Sequence, residues 1–452
     1  MPSGIPFIIS NEAAERFSFY GMKTILVIFM TQYLMGSNGD LDPMSEDQAK
    51  AWYHTFTSLV YYTPIAGAIL SDWFLGKYKT ILLLSVVYCL GHFTLALDET
   101  RLGLGIGLTL IAVGAGGIKP CVSAHVGDQF GPSNKDLVEK VFYWFYFSIN
   151  FGSLLSTLLT PWLLQKYGPS VAFGVPGVLM ALATFLFWLG RNRFIHVPPG
   201  GSEFIKQTFS RTGLEVMARL FGIYIFVAMF WALFDQTGSS WVLQAQYMDL
   251  NFGGHTWLPS QVQALNPIMI LAFIPLFSLL IYPAINKVFP LTPLRKIGIG
   301  FFITVIAFLV PAYIESQIPE LARHWHAFMP SWIAYPEVVA PRPNVVWHIL
   351  AYAILTAAEV LVSITALEFS YTQAPHKMKS IVMALFLVSV GLGNTFAAAV
   401  NFIIANDDGT SKLDGPAYFL FFAACMFVTA LLFTVYSRTY KGRSYIQGED
   451  VT

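Results

Sequence analysis

Long apolar runs and short polar stretches alternate along the whole 452-residue chain. Each run is close to the ~20 apolar residues that a helix needs to cross the hydrocarbon of a bilayer. No strict apolar–polar alternation recurs often enough for a β-barrel, so helices are the expected elements. The pattern predicts an all-α integral membrane protein with twelve transmembrane spans. The spans fall near residues 14–35, 50–72, 79–97, 102–126, 138–163, 171–190, 215–237, 263–285, 294–313, 345–371, 379–404 and 416–436.

Composition supports the membrane assignment. Hydrophobic residues make up 55% of the chain and charged residues 12%, about half the charged fraction of a typical soluble domain. The formal net charge is zero, which argues against a nucleic-acid partner and leaves the lipid bilayer as the expected surroundings. Cys89, Cys121 and Cys425 lie in different spans, so neither a disulfide framework nor a metal cluster is expected. The first apolar run contains charges and lacks a small-residue cleavage site, so no cleavable signal peptide is expected.

The distribution of basic residues predicts the orientation. If the N-terminus lies inside, Lys and Arg at the inner side outnumber those at the outer side by about three to one. The acidic stretch NGDLDPMSEDQ (38–48) then lies outside. Both termini are therefore expected to be cytoplasmic.

A polar stretch containing HVPPGG separates six spans from six. This division is typical of transporters built from repeated halves, whose site lies between the halves near the middle of the membrane. The predicted organisation is a six-helix half over 1–190, a cytoplasmic linker over 191–214, a second six-helix half over 215–437 and a cytoplasmic tail over 438–452.

Several charged residues lie inside the predicted spans. A charge at the centre of a bilayer costs at least about 2.5–3.5 kcal/mol, so such residues are usually functional. The affected spans are the first, fourth, seventh and tenth, each of which begins a three-helix unit and is expected to face a central cavity. The residues are Arg16, Lys23, Lys119, Asp235, Glu359 and Glu368.

The spacing of the charges in the first span places them on one helical face. Glu12, Glu15, Arg16, Tyr20 and Lys23 follow the i, i+3, i+4, i+8, i+11 pattern, so their side chains share a stripe. We infer that they line water or one another and do not face lipid.

A rise of about 1.5 Å per residue gives the approximate depth of each charge. Glu15, Arg16 and Lys119 fall at one level towards the inner side, where Glu15 is expected to pair with Arg16 and Lys119. Lys23 and Glu359 both fall near the midplane and are expected to face each other.

Structural alternatives stay open for several of these residues. Glu12 is also suited to the N-terminus of a helix as an interfacial carboxylate. His54 is suited to the role of a hydrogen-bonded core histidine as well as it is to a functional role. Lys119 is also suited to a structural ion pair. Glu368 is better suited to structure or gating than to substrate binding. Among the aromatic residues of the fifth span, Tyr146 is singled out because the polar Asn150 lies one turn further on.

Five motifs resemble one known family. NEAAERFSFYG (11–21) resembles the ExxERF motif of the proton-coupled oligopeptide transporters, the peptide-transporting branch of the major facilitator superfamily. GAILSDWFLGKYKT (67–80) is similar to their loop between helices 2 and 3, and FYWFYFSINFGSL (142–154) to their helix 5 signature. FWALFDQTGSSW (230–241) and EVLVSITALEFSYTQAP (359–375) are similar to segments of helices 7 and 10.

The resemblance implies a major-facilitator-type bundle and assigns roles to individual residues. The implied proton-coupling residues are Glu12, Glu15, Arg16 and Lys119. If the proton site lies elsewhere, His54 is the first further candidate from the sequence itself. The implied peptide pocket is lined by Arg16, Tyr20, Lys23, Tyr61, Lys119, Tyr146, Asn150, Trp231, Asn266, Glu359 and Ser363, and gating falls to Asp235 and Glu368. Position 23 is often Arg in the family, and Lys keeps its charge but loses the bidentate fork. Many bacterial members carry two additional helices between the halves, for which the predicted linker has no room.

These residue types suit the transport of a zwitterion. A short peptide has a cation at one end and an anion at the other. A basic wall of Arg16, Lys23 and Lys119 opposite Glu359 would orient it without reading its side chains. Protonation of Glu12 or Glu15 would free a basic partner to change position as the inner side opens.

The predicted function is therefore proton-coupled import of di- and tripeptides by alternating access, with protons as the coupling ion and no other cofactor. The expected location is the plasma membrane, the inner membrane in a bacterium, and the expected functional unit is a monomer.

Other functional classes are less consistent with the sequence. A transporter of nitrate or another small anion would keep the basic wall but would need no Glu359 to receive an amine. A hydrolase would need a nucleophile with a base or a metal site, and His324 and His326 have no third ligand near them in the sequence. A channel would need a filter-like loop, which no span offers. The chain is therefore not expected to be an enzyme.

Overall fold

The structure is a computed structural model that describes residues 1–131, 134, 137–201, 206, 210–328, 340–373 and 379–440. Twelve long helices account for most of this part of the chain, and we number them in chain order. They are α1 Ile5–Gln32, α2 Glu46–Ile69, α3 Lys77–Leu97, α4 Arg101–Asp128, α5 Val138–Tyr167, α6 Pro169–Leu189, α7 Arg211–Phe234, α8 Leu265–Leu276, α9 Pro293–Gln317, α10 Val346–Glu359, α11 Lys379–Ile404 and α12 Pro416–Thr439.

Ten of these helices, taken with their short helical continuations, are long and apolar enough to cross a membrane. The two others are α1 and α2. Helix α1 carries four charged side chains, Glu12, Glu15, Arg16 and Lys23, and the first turn of α2 is acidic. All twelve predicted spans thus have a helix in the structure, and the helices differ from the predicted spans mainly at their ends. Helix α1 begins at Ile5 instead of near residue 14, because the helix continues through the polar residues that precede the apolar run.

Apolar packing divides the bundle into two halves, which we call the N-terminal half (α1–α6) and the C-terminal half (α7–α12). One cluster of buried apolar residues belongs to the N-terminal half and includes Phe19, Tyr88 and Phe173. A second cluster belongs to the C-terminal half and includes Phe230 and Phe308. We call the end of the bundle at which α1 begins the basal end, and the opposite end the apical end.

Helices within each half approach closely where a glycine of one helix faces the backbone of another. A Cβ atom on Gly67 of α2 would lie 2.2 Å from the carbonyl oxygen of Gly117 in α4. A Cβ on Gly393 of α11 would lie 2.1 Å from the carbonyl oxygen of Ala228 in α7. No side chain fits at either crossing, so each half is a tightly packed unit.

Three helices of the C-terminal half change their winding where polar residues occur. Helix α7 gives way to a 3-10 turn at Asp235–Gly238 before the short helix Ser240–Ala245. Helix α10 passes through a π turn at Val360–Ile364 and continues as Thr365–Gln373. Helix α8 is preceded by the 3-10 segment Pro259–Ala264. It is followed by a π turn and by a short helix that ends at Asn286. Such irregular turns are often found at functional sites.

The halves are joined from the middle of the bundle to the apical end. Gln32 of α1 donates to Gln246 at 2.5 Å, and Gln261 donates to the carbonyl oxygen of Leu158 in α5 at 2.8 Å. Val242 and Leu243 pack into the core of the N-terminal half. The hydrogen bonds and ion pairs that the structure shows between described side chains of the two halves thus lie between the middle of the bundle and the apical end. We call this arrangement the apically closed form.

Several connections lie partly outside the described residues. A short hairpin, β1 Asn251–Phe252 and β2 His255–Thr256, lies in the apical connection between α7 and α8. The predicted linker 191–214 and tail 438–452 are described only in part, and α7 begins at Arg211 within the predicted linker. The predicted domain boundaries remain predictions.

Candidate functional site

The basal part of α1 carries a buried cluster of one cation and two carboxylates. Arg16 Nε lies 2.6 Å from Glu12 Oε1 and 3.2 Å from Glu15 Oε2. Glu12 and Glu15 are 1% and 2% exposed. Neither oxygen of Glu15 has a hydrogen-bond partner of good geometry in the described structure. The expected Glu15–Arg16 pair therefore forms, and Arg16 is shared between two carboxylates. We call these three residues the basal cluster.

Lys119 does not form the pair that we expected from its depth. No carboxylate of the described residues lies within 4.0 Å of its ammonium group. The ammonium instead lies 4.1 Å from the ring centre of Phe19 and 5.7 Å from that of Tyr61. The GAGGIKP segment lets α4 approach α2 and α3 closely, but it places Lys119 over aromatic rings on the same level as the basal cluster, not against Glu15.

Lys23 also has a different partner from the one expected. Its Nζ atom lies 2.9 Å from Oδ1 of Asp235, and both residues are 8% exposed. The expectation that Lys23 faces Glu359 is wrong for this conformation, because the 3-10 turn after α7 brings Asp235 of the C-terminal half against α1. The ion pair joins the two halves.

A chain of buried hydrogen bonds extends this ion pair. Asn394 of α11 donates to Asp235 Oδ2 at 2.7 Å, and its side-chain oxygen lies 2.7 Å from Nδ1 of His54. The other ring nitrogen of His54 lies 2.9 Å from the hydroxyl oxygen of Ser239. We call these five residues, Lys23, His54, Asp235, Ser239 and Asn394, the apical network.

Asn394 and Ser239 are not among the site residues predicted from the sequence. Both are polar residues within membrane helices or their continuations, Asn394 in GLGNTF and Ser239 in DQTGSS. A search for uncharged polar residues in the spans, in addition to charged ones, would have found them.

The remaining buried carboxylate lies in the C-terminal half. Asn266 Nδ2 donates to Glu359 Oε2 at 2.7 Å and also lies 3.2 Å from the hydroxyl oxygen of Thr356. A π turn starts one residue later and includes Ser363. In the described structure Glu359 therefore has an amide partner and no cationic partner within 4.0 Å.

The other predicted pocket residues lie around these groups at different exposures. Tyr20 and Tyr61 lie within electrostatic range of Lys23. Trp231 is packed against Phe234, and its indole Nε1 has no hydrogen-bond partner in the described residues. Asn150 donates to the carbonyl oxygen of Tyr146 at 2.9 Å, and Tyr146 is 58% exposed. Glu368 is exposed on the basal continuation of α10.

The fold and the buried charges define the class of protein. Twelve helices in two halves, with ionisable residues between the halves, describe a multi-pass membrane protein of the major-facilitator type. A sequence model of the POT family matches residues 78–216 and 204–414. The chain belongs to the POT family.

Curated relatives are named as transporters. The human solute carrier family 15 member 2 is 39% identical over 373 residues, which cover 71% of this chain and 50% of that protein. Peptide transporter family 1 of Drosophila melanogaster is 39% identical over 368 residues, 71% of this chain and 48% of that protein. The chain thus spans about half the length of the curated relatives that it matches.

Solved structures resemble the whole chain. The crystal structure of an auto-inhibited POT family peptide transporter is 34% identical, has a TM-score of 0.83 and covers 99% of both chains. The in meso crystal structure of the POT family transporter PepTSo is also 34% identical, with a TM-score of 0.82, and covers 97% of this chain and 98% of that one.

Proposed function

We propose that this protein is a proton-coupled symporter that imports di- and tripeptides by alternating access between its two halves. The observation that carries the proposal is the distribution of buried charge. The N-terminal half has Arg16, Lys23 and Lys119, and the C-terminal half has Glu359 held by an amide. The names of the related transporters support peptide as the substrate class.

The substrate would be held by its two charged ends. The peptide amine is assigned to Glu359, which has no cationic partner within 4.0 Å in the described structure and is oriented by Asn266. The peptide carboxylate is assigned to the basic groups of the N-terminal half, among which Lys119 lacks a carboxylate partner within 4.0 Å in the described residues. Charge-assisted hydrogen bonds in a partly dry site provide both orientation and affinity.

Proton coupling is assigned to the basal cluster and the apical network. In the basal cluster, Glu12 and Glu15 share Arg16, so protonation of one carboxylate changes how strongly Arg16 is held. In the apical network, His54 touches the groups that hold Asp235 against Lys23. A proton arriving at either position would bias the contacts between the halves.

The proposed orientation places the termini in the cytoplasm of a cell, at its plasma membrane. The apically closed form is then assigned to the inward-facing state. Alternating access would require the apical network to separate while basal contacts form.

Uptake of labelled dialanine into vesicles that contain the purified protein tests the proposal. An imposed proton gradient, acidic outside, should drive accumulation above the external concentration, and a proton-permeable membrane should abolish that accumulation. Competition by unlabelled tripeptide should reduce uptake, whereas nitrate should not. Uptake that nitrate inhibits and tripeptide does not would favour an anion transporter instead.

A further inference from the structure

A second cavity lies at the apical end, away from the residues assigned to the peptide. It has a volume of about 370 Å³ and is bounded by the start of α2, the short helix Ser240–Ala245, the connection after α9 and the loop that leads into α12. Its walls therefore come from both halves. The volume falls in the range of small-molecule sites, about 300–1,000 Å³.

One wall of the cavity contains a buried charge pair with unused hydrogen-bonding capacity. Lys50 Nζ lies 2.5 Å from Asp47 Oδ1 and 4.1 Å from the centre of the Tyr418 ring. Asp47 is 5% exposed and Tyr418 is 4% exposed. Asp47 Oδ2 has no hydrogen-bond partner in the described structure, and the Tyr418 hydroxyl has none of good geometry, although the side chains of Asn401 and Ser240 lie close to it. A buried polar atom without a partner costs about 1–3 kcal/mol, which a ligand that reaches it would recover.

The opposite wall is held by polar contacts of its own. The Tyr247 hydroxyl donates to Glu46 Oε1 at 2.6 Å, and Arg323 forms an ion pair with Glu315. Burial and the adjacent Glu46 carboxylate raise the pKa of Tyr247, so its hydroxyl stays protonated and remains a donor. Both oxygens of Glu315 thus have partners, whereas Asp47 Oδ2 is a buried carboxylate oxygen that still has an open acceptor position.

The charge balance of the lining favours a cation. Four carboxylates face two basic groups around the cavity, and an excess of one sign in a confined space concentrates ligands of the other sign. The groups are Glu46, Asp47, Glu315 and Asp414 against Lys50 and Arg323.

We propose that this apical cavity binds a small molecule through a primary ammonium group. The ammonium would donate to Asp47 Oδ2 and to the oxygen of the Tyr418 hydroxyl, beside the existing Lys50–Asp47 pair. A carboxylate acceptor suits an ammonium donor because charge-assisted hydrogen bonds are the stronger kind. The binding step itself is independent of the proposed transport function.

Occupancy of the cavity also has a consequence for conformation, and this consequence rests on the proposed alternating access. Because Asp47 belongs to the N-terminal half and Tyr418 to the C-terminal half, a ligand that contacts both binds the apically closed form in preference to the open form. It therefore stabilises the closed form by its differential affinity. Amines that bind here should slow transport without displacing peptide from the central site.

Calorimetry with 1,5-diaminopentane and the full-length protein in detergent tests the binding step. We expect one diamine per chain, unchanged affinity in saturating dialanine, and at least a roughly tenfold loss of affinity in Asp47→Asn, because a charged acceptor is removed. Tyr418→Phe should lower the affinity by a smaller factor. Asp407→Asn is the matched control, because it removes an exposed apical carboxylate that does not line the cavity.

Three results would overturn this site. They are no binding at millimolar diamine, equal loss of affinity in Asp407→Asn and Asp47→Asn, and displacement of the diamine by dialanine. If Asp47→Asn does not fold, the affinity of Tyr418→Phe for the diamine is the deciding measurement. An unchanged affinity in that variant would exclude the Tyr418 hydroxyl, which is one of the two proposed contacts, and would overturn the site. Binding that follows the expected pattern in a protein that fails to take up dialanine would leave the site standing and remove the proposed transport function.

Discussion

At the scale of single residues, the side chains with the greatest influence are those whose charge is buried. Lys23 and Asp235 satisfy each other across the two halves, whereas Lys119 lies over aromatic rings and Glu359 is held by an amide. The cost of an unpaired buried charge differs among these settings, so the same type of substitution should have different effects. We make one prediction for each of these three settings.

Removing one member of the Lys23–Asp235 pair should destabilise the protein more than removing both. Asp235→Asn leaves a buried ammonium without a carboxylate, a change that costs about 3–5 kcal/mol for buried pairs. Lys23→Gln together with Asp235→Asn removes both charges. Thermal unfolding of the two single variants and the double variant gives the coupling energy of the cycle. Additive losses would show that the pair contributes nothing to the apically closed state.

Glu359→Gln should weaken peptide binding through the amine alone. Gln preserves shape and a hydrogen bond to Asn266 but removes the charge, and a hydrogen bond to a charged group contributes about 1.5–3 kcal/mol. Dialanine should therefore bind about ten- to 150-fold more weakly. Binding of an analogue without the free amine serves as the control and should change little. An equal loss for both ligands would contradict the assignment of the amine to Glu359.

Lys119→Ala should abolish proton-driven uptake, and the protein should still fold. This lysine has no carboxylate partner within 4.0 Å in the described residues, so its removal leaves no buried carboxylate without its counter-charge. Lys119→Arg should retain more uptake, since it keeps the charge. Uptake of dialanine is measured in vesicles with matched amounts of folded protein. Accumulation by Lys119→Ala at the wild-type level would exclude the residue from coupling.

The comparison of sequence and structure is clearest for these same residues. Apolar run length was enough to locate all twelve helices, and helical spacing was enough to place Glu12, Glu15 and Arg16 together. The partners of Lys23 and Lys119 could not be predicted from depth. Their positions depend on the 3-10 turn at Asp235 and on which end of the bundle is closed, and neither feature leaves a periodic pattern in the sequence.

At the scale of helices, the structure distinguishes packing within a half from packing between halves. Gly393 of α11 packs against the backbone of Ala228 in the same half, whereas Gly391, half a turn earlier, faces the ring of Tyr62 in α2 of the other half. A Cβ on Gly391 would lie 2.6 Å from Cε1 of that ring. The face of α11 that carries Gly393 therefore contributes to the stability of the C-terminal half. The face that carries Gly391 affects which arrangement the two halves adopt.

Gly391→Ala should shift the protein towards the apically open state with little change in the unfolding temperature. The new methyl group collides with Tyr62 only when α2 and α11 are in contact. Spin labels on Asn38→Cys and Asp407→Cys, with the native cysteines replaced, report the apical distance between the halves, which should increase. Gly393→Ala is the contrast, since its methyl group meets backbone within one half. It should lower the unfolding temperature and leave the apical distance unchanged, and identical behaviour of both variants would refute the distinction.

At the scale of the whole molecule, the apical contacts hold two separately packed halves in one arrangement. Transport by alternating access requires these contacts to break in every cycle. The hydrogen bond between Gln32 and Gln246 lies among them, whereas the one between Ser170 and Glu99 is equally apical but lies within the N-terminal half. Covalent links at the two places should therefore differ in effect.

A short bismaleimide that joins Gln32→Cys to Gln246→Cys should stop dialanine uptake, because it prevents apical opening. The same reagent applied to Ser170→Cys and Glu99→Cys should leave uptake near the unlinked level. The link between the halves is confirmed by the mobility of the chain on a denaturing gel after cleavage between the halves, and the link within the N-terminal half by the loss of both free thiols. Full uptake by the protein linked across the halves would mean that the apical end need not open.

The charge on α1 also bears on how the protein enters the membrane as it is synthesised. Helix α1 and the rather polar α2 leave the ribosome before the helices that will shield them, and each buried charge in α1 opposes insertion by about 2.5–3.5 kcal/mol. Helices α3 and α4 are the next pair, and both are apolar enough to enter the bilayer on their own. We therefore expect α3 and α4 to insert first, with α1 taking its final position only when α5 and α6 are available, because α1 packs mainly against these two helices and Arg16 lies beside Gly152 of α5.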